Sequence, residues 1–491
     1  MRYLFLLFAT TLSYYCYAQE EVVFKTNKQF YLKGNSALIG NNIVSAYSKK
    51  SFNDGTKLND LLKQRYVDID DDNTTFSSSQ ATLKIPENSK IKYAALYWSA
   101  IYPYNFGKTT IVKLKTKRKQ ITYVGDDKRD LSFNTVLFKT PNSNYKPIQG
   151  NIIFNGSNSE KFGDTKPYGC YADVTSILQN TKTPSGNYTL ANVKAAQGLV
   201  PGGCAGGWLL YVIYENENES AKYFTTYNGF LDVFKEPVDI HFKNFKSPEE
   251  GGIKTALLLG ALEGDQKFKT DNCAILNPNN DEYVPLFNKV RPRNNFFNST
   301  ISNDEVFFLD RIPASRNTLG FDLLKMEIPN PNNTIIPYNS RDATIQFNSK
   351  ADRFYLFFVA FETEISPIFL EGKENKASIL VLNKEEELKE EEELEKIKNL
   401  VSISIPSMPQ GYYLVTNVFS VKENATKWMS FLTEKGHNPK SYINPENRWK
   451  YIYLNIDMDP YVIYQKRKEL SKIDYFEDIW ILKISFKQFS W

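Results

Sequence analysis

From residue 19 to residue 372 the chain alternates short aromatic and β-branched runs with clusters of Asn, Gly, Asp, Ser and Pro, and helical periodicity is hard to find. That alternation confines the region to strands, because half-buried strands repeat every two residues and the clusters supply the turns between them. The clearest strand segments are 81–85, 91–99, 109–115, 120–124, 151–154, 188–194, 208–214, 223–227, 239–242, 255–261, 344–347 and 353–361. So many strands at this spacing predict β-sandwich or jelly-roll architecture. The stretch is longer than one sandwich usually holds, so two units are expected, at 19–180 and 181–372, with a single elaborated domain as the alternative.

Past residue 372 the composition changes. Residues 384–398 read KEEELKEEEELEKIK, a helix-favouring run whose eight Glu leave few apolar positions. Residues 373–410 therefore read as a charged helical linker. Beyond it, 411–485 carries a strand, a helix at 422–435 with Ala425, Trp428, Met429 and Leu432 on one side and Gly436 closing it, two strands, a second helix at 460–470 and a last strand. The chain is thus expected to be multidomain and mainly β, followed by a small α+β domain of order βαββαβ. That order puts two helices on one sheet face and leaves the other free to bind.

Met1 and Arg2 precede an apolar run that ends at the small residue Ala18 before Gln19, Glu20 and Glu21. This reads as a secretory signal peptide over 1–18, and no other stretch approaches the ~20 apolar residues of a membrane span. Lys plus Arg number 60 and Asp plus Glu 56, for a net charge of +4, which is too balanced for nucleic-acid binding by phosphate neutralisation. Two His, His241 and His437, leave little material for triads or His-rich metal sites. In an oxidising compartment Cys170 and Cys204, both in turn-like contexts, are the expected disulfide pair; three buried free thiols are the competing reading.

The segments GYYLVTNVFSVKENATKWMSFLTEKGHNPKSYI, WKYIYLNID and DIWILKI in 411–485 resemble the SPOR (sporulation-related repeat) domain. The resemblance implies binding to peptidoglycan glycan strands, and so an exported protein of the periplasm or outer envelope. Where the first strand of such domains carries Gln and then Gly, this chain has Val415 and Asn417. The glycan-binding candidates are Tyr413, Asn417, Trp449, Tyr451 and Tyr453, since sugar C–H faces suit aromatic surfaces. Period two sets Trp449, Tyr451 and Tyr453 on one face without deciding whether that face is open or lies under the helices. The segments YVDIDDDNTTFSSSQATLKIP, IKYAALYWSA, YADVTSIL, GGCAGGWLLYVIYEN, FTTYNGF and LLLGALEGD resemble the β-rich head of secreted adhesin-like surface proteins of Bacteroidetes. That likeness implies a non-catalytic head, envelope protein partners, and a cell-surface adhesin as the alternative function.

Asp68, Asp70 and Asp72 in VDIDDDN are candidate Ca²⁺ ligands, clustered as hard cations require. They are not an EF-hand, because Asn73 and Ser79 stand where Gly and a bidentate Glu belong. Otherwise no cofactor is expected, and the competing reading of the three is an acidic turn. Glu263, Asp265 and Asp271 are the carboxylates that a glycan-cleaving alternative would draw on. Gly202, Gly203, Gly206 and Gly207 precede a strand rather than a helix, so they read as a turn and not as a phosphate loop. No nucleophile elbow or base is recognisable, and the expectation is a protein that is not an enzyme.

Overall fold

The computed structural model describes residues 24–113, 119–126, 128–373, 390, 392–405 and 408–485. The signal-like segment 1–18 and the first part of the 373–410 linker lie outside them. The chain divides into two compact units, Met1–Lys373 and Glu374–Trp491. It is mainly β, with several sheets.

The first unit is organised by one long strand. Lys25–Asn42 runs for 18 residues, roughly 60 Å at ~3.3 Å per residue and about three times an ordinary strand. Its first half pairs with Ala221–Asn228 and its second half with Gly206–Glu215, both antiparallel. The sheet then extends through Lys90–Ile101, Pro167–Asp173 and Asn151–Asn155 on one side, and through Phe354–Glu364, Thr255–Leu262 and Phe321–Glu327 on the other. Strands from before and after residue 180 therefore interleave in one sheet, and position 180 separates nothing.

Two cores nevertheless form, on opposite faces of the strands Thr255–Leu262, Phe354–Glu364 and Phe321–Glu327, whose alternate residues divide between them. A five-stranded sheet that includes Ser78–Leu83, Gly186–Ala191 and Thr135–Lys139 supplies Leu83, Phe138, Tyr188 and Leu190 to the core of Trp98 and Trp208. A four-stranded sheet that includes Val238–Lys243, Asp342–Ser349 and Asp271–Asn277 supplies Phe242, Cys273, Ile345 and Phe347 to the core of Leu257, Leu259 and Phe361. Because the central strands are covered on both faces, Gly206–Glu215 and Thr255–Leu262 are buried almost throughout, and their sequences are nearly continuous apolar runs. Trp98 and Trp208 face each other across one rung, fully buried. Each indole N–H is satisfied, Trp98 donating to the Phe133 carbonyl at 2.9 Å and Trp208 to Ser79 Oγ at 2.8 Å.

Between these layers lies a buried ion pair, Arg291 Nη1 to Asp322 Oδ1 at 2.8 Å. Arg291 also donates to Ser302 Oγ and to the carbonyls of Phe296, Thr300 and Leu323, while Asp322 accepts from the Ser299 and Thr300 amides. Full hydrogen bonding on both partners is what makes a buried pair tolerable.

In the second unit four antiparallel strands lie in the order Lys440–Ile443, Lys450–Asp457, Gly411–Phe419, Trp480–Ile484. Helix Lys422–Glu434 buries Ala425 and Leu432 and stops at Gly436, whose φ of 86° is the left-handed conformation that ends helices. Helix Pro460–Leu470 starts from Asp459, which accepts the Tyr461 amide, with Pro at its first turn. Leu414, Ile452 and Ile481 pack with both helices. Part of the expected linker belongs to this unit: Ile397 is buried with the helices, and Ile403 pairs in parallel with Ile484. A charged linker does not describe Ile397 and Ile403, because their apolar side chains pack in the cores of this unit.

Candidate functional site

Strand alternation in the C-terminal sheet separates two faces. Leu414, Ile452 and Ile481 go to the helices; Tyr413, Val415, Val418, Tyr442, Tyr451, Tyr453, Trp480 and Leu482 form a second cluster on the opposite face. This second face is rich in tyrosine. Tyr442 and Tyr451 stack, with centroids 4.9 Å apart and planes at 13°, and Tyr453 meets Tyr413 edge-on at 5.1 Å.

The five sequence candidates fare differently. Tyr451 and Tyr453 are half-buried on the face away from the helices. Trp449 lies one residue before the strand rather than in it and is 48% exposed. Tyr413 shares the face but is fully buried beneath Ile405, and its hydroxyl donates to the Pro409 carbonyl at 2.6 Å. Burial pushes its phenol up to about 12. Ile403, Ile405 and Met408 of the expected linker join this cluster, and they close the Tyr413 end of the face.

Asn417 is the clearest correction. The register shifts at Val415–Asn417, so Asn417 stands opposite Ile452 of the helix-side core, and Val418 takes the place opposite Tyr451. One extra residue in a strand reverses the facing of every residue after it. The Asn417 side chain is engaged locally, accepting the Val418 amide at 2.8 Å. Tyr442 was missing from the candidates. Its short strand was legible, but its pairing with Tyr451 is a long-range fact. Among the described residues its buried hydroxyl has no hydrogen-bond partner, and burial raises its pKa.

The head holds the remaining candidates. Asp68, Asp70 and Asp72 turn to separate partners: Asp68 accepts from Ser78 Oγ at 2.9 Å, Asp70 from Thr75 Oγ1 at 2.9 Å and from the Tyr145 hydroxyl, and Asp72 from the Thr74 amide at 2.9 Å. Among the described residues no group of three or more His, Cys, Asp or Glu is placed to hold a metal ion. The Ca²⁺ assignment is therefore withdrawn, since hydroxyls and amides already satisfy carboxylates that a cation would need together.

The Cys170–Cys204 disulfide is also corrected. Cys170, Cys204 and Cys273 are all free and buried. Cys170 sits inside a ladder between Trp98 and Ile152, while Cys204 packs back on its own turn with Sγ 3.9 Å from the Gly198 carbonyl. Burial raises the pKa of all three thiols. The turn itself is real: Gly203 has φ 104°, and a Cβ there would lie 2.3 Å from the Asn59 side chain.

Glu263, Asp265 and Asp271 do not converge on one recess. Glu263 lines a cavity of about 390 Å³ with Asp352, Arg353 and Tyr355, and neither Asp265 nor Asp271 does. Asp265 accepts the Lys267 and Phe268 amides at 2.7 and 2.9 Å, and Asp271 accepts the Phe297 amide at 2.8 Å. Burial, reinforced by Asp265 and Asp271, pushes the Asp352 carboxyl up to about 8, and burial pushes Asp271 up to about 7.

No family model matches the chain, and no curated protein matches it. Among solved structures it is similar to the major capsid protein P2 from bacteriophage PM2, at 7% identity over 67% of this chain and 98% of that one, with a TM-score of 0.17. The STIV MCP is similar at 9% identity over 57% of this chain and 91% of that one, again with a TM-score of 0.17. At such scores neither likeness carries an argument about fold or function. Among the described residues no helix is long and apolar enough to cross a membrane.

Proposed function

We propose that the chain is an exported envelope protein whose C-terminal unit is a SPOR-like fold that binds peptidoglycan glycan strands, with a β-rich, non-catalytic head. The observation that carries this reading is the half-exposed pair Tyr451 and Tyr453 on the sheet face turned away from both helices, with exposed Trp449 one residue before the same strand. Rings held by their neighbours on a sheet offer apolar area to sugars at little entropic cost.

The test is retention of the full chain on purified sacculi, before and after an amidase strips the stem peptides. Retention that rises after stripping supports the reading. Absence from both preparations, with the chain folded, overturns it.

A further inference from the structure

The five-stranded sheet of the head ends in a short edge strand, Lys146–Gln149, paired with Thr135–Lys139. Phe138 stands opposite Lys146 and Val136 opposite Ile148, and cross-strand partners share a face, so all four lie on the face that meets the core of Trp98 and Trp208. At this edge the core gives way to open space. Between the edge strand and the short helix Thr175–Gln179, with the loop that follows it, lies a cavity of about 600 Å³. Its apolar walls are Phe138, Pro141, Ile148 and Ile177. Phe138 is buried, while Ile148 and Ile177 pack on the core with part of their surface left open.

The charge around the cavity has one sign. Lys146 comes from the edge strand and Lys182 from the loop after the helix; both are exposed, and no Asp or Glu joins the lining. Among the described residues neither lysine has an ion-pair partner, and the side-chain amides of Asn142 and Asn180, which also line the cavity, have no hydrogen-bond partner. A lysine on the inward face of an edge strand is explained as a guard against strand pairing. That account fits Lys146 and leaves Lys182 and the cavity unexplained. Nor is the edge suited to an added peptide strand, being four residues long with Pro147 among them. Clefts of ~300–1,000 Å³ with apolar walls and a few polar groups are where small ligands bind. Apolar walls beside two cations and two amide donors suit a molecule with an aliphatic body and one anionic group, whose body displaces water from the isoleucines while its charge meets the ammonium groups.

We infer that this cavity binds a small amphiphilic anion, an aliphatic chain ending in a carboxylate or a phosphate. The inference does not depend on glycan binding, because it concerns the other unit.

The test is calorimetric titration of the full chain with octanoate, octyl phosphate and octanol. Both anions should bind about tenfold more tightly than the alcohol, and the tighter of the two names the head group. Shortening octanoate to hexanoate should weaken binding about fourfold per methylene lost, or roughly sixteenfold. Lys146→Gln with Lys182→Gln should cost the anions about tenfold and leave octanol binding unchanged. Ile148→Ser with Ile177→Ser should weaken all three ligands. Three results overturn the inference: no binding of either anion, octanol binding as tightly as octanoate, or full affinity for both anions in the lysine variant. Both lysines are exposed, so that variant keeps its fold, checked by an unchanged circular dichroism spectrum, and it decides the matter even if the serine variant unfolds.

Discussion

The two units use the same residue types to opposite ends. In the head Trp98, Trp208, Tyr93, Tyr97 and Tyr211 are buried on a sheet covered on both faces. In the C-terminal unit Trp449 is 48% exposed and Tyr451 and Tyr453 are half-buried on a sheet with helices on only one side. Aromatic content therefore marks no binding site by itself. The number of layers over the strand decides whether a ring is core or contact surface, and the four-stranded C-terminal sheet leaves a face partly open.

The largest expected effect breaks the head and spares the other unit. Asp322→Asn removes the countercharge of fully buried Arg291, and breaking such a pair costs about 3–5 kcal/mol. Urea unfolding followed by tryptophan fluorescence reports both units, since Trp98 and Trp208 lie in one and Trp428, Trp449 and Trp480 in the other. The head transition should move to lower urea while the C-terminal transition stays in place. If both transitions move together, the units are one cooperative system and the comparison fails.

A second contrast comes from pH. Asp352 and Asp271 are raised to about 8 and about 7, above the ordinary carboxyl value near 4. Between those values the folded head holds protons that the unfolded chain has released. Its stability is thus greatest near pH 4 as far as these groups are concerned, and it falls as pH rises toward 8, by up to about 1.4 kcal/mol per pH unit per proton. Unfolding of the head across pH 5–8 should show that slope, and Asp352→Asn should flatten it. A head equally stable across the range would mean that these carboxyls are ionised in the fold.

Much of this contrast was legible in the sequence, for local reasons. Short apolar runs bounded by turn residues marked strands at 208–214 and 255–261, and Gly436 and Pro460 marked helix bounds, because turn and cap chemistry acts within a few residues. The 18-residue strand was not legible as an organiser, since its partners lie about 180 residues away and pairing leaves no local trace. The division at 180 failed for that reason. Likewise Asp68, Asp70 and Asp72 look convergent in sequence, but strand and turn geometry send them to Ser78, Thr75 and Thr74.

The open face itself is tested by a change with little structural cost. Tyr451→Ala with Tyr453→Ala should lower retention on stripped sacculi roughly tenfold, from about 0.5–1.5 kcal/mol per ring. A matching Tyr97→Ala in the head should instead destabilise that unit by several kcal/mol and leave binding by the folded protein unchanged. Equal effects of the two on retention would erase the distinction between ring as surface and ring as core.

The smallest expected effect is the most specific to the register. Plain alternation along Gly411–Phe419 groups Asn417 with Tyr413 and Val415, whereas the observed shift sets it opposite Ile452 and gives its place beside Tyr451 to Val418. Asn417 is exposed and engages only its neighbour's amide, so Asn417→Ala should alter stability by about 0.5 kcal/mol or less and sacculus retention less than twofold. Val418→Lys, by contrast, puts a charge among the tyrosines and should lower retention measurably in the folded chain. If the alanine variant loses as much binding as the double tyrosine variant and Val418→Lys loses none, the strand follows plain alternation in solution and the bulge is not the feature that sets the binding face.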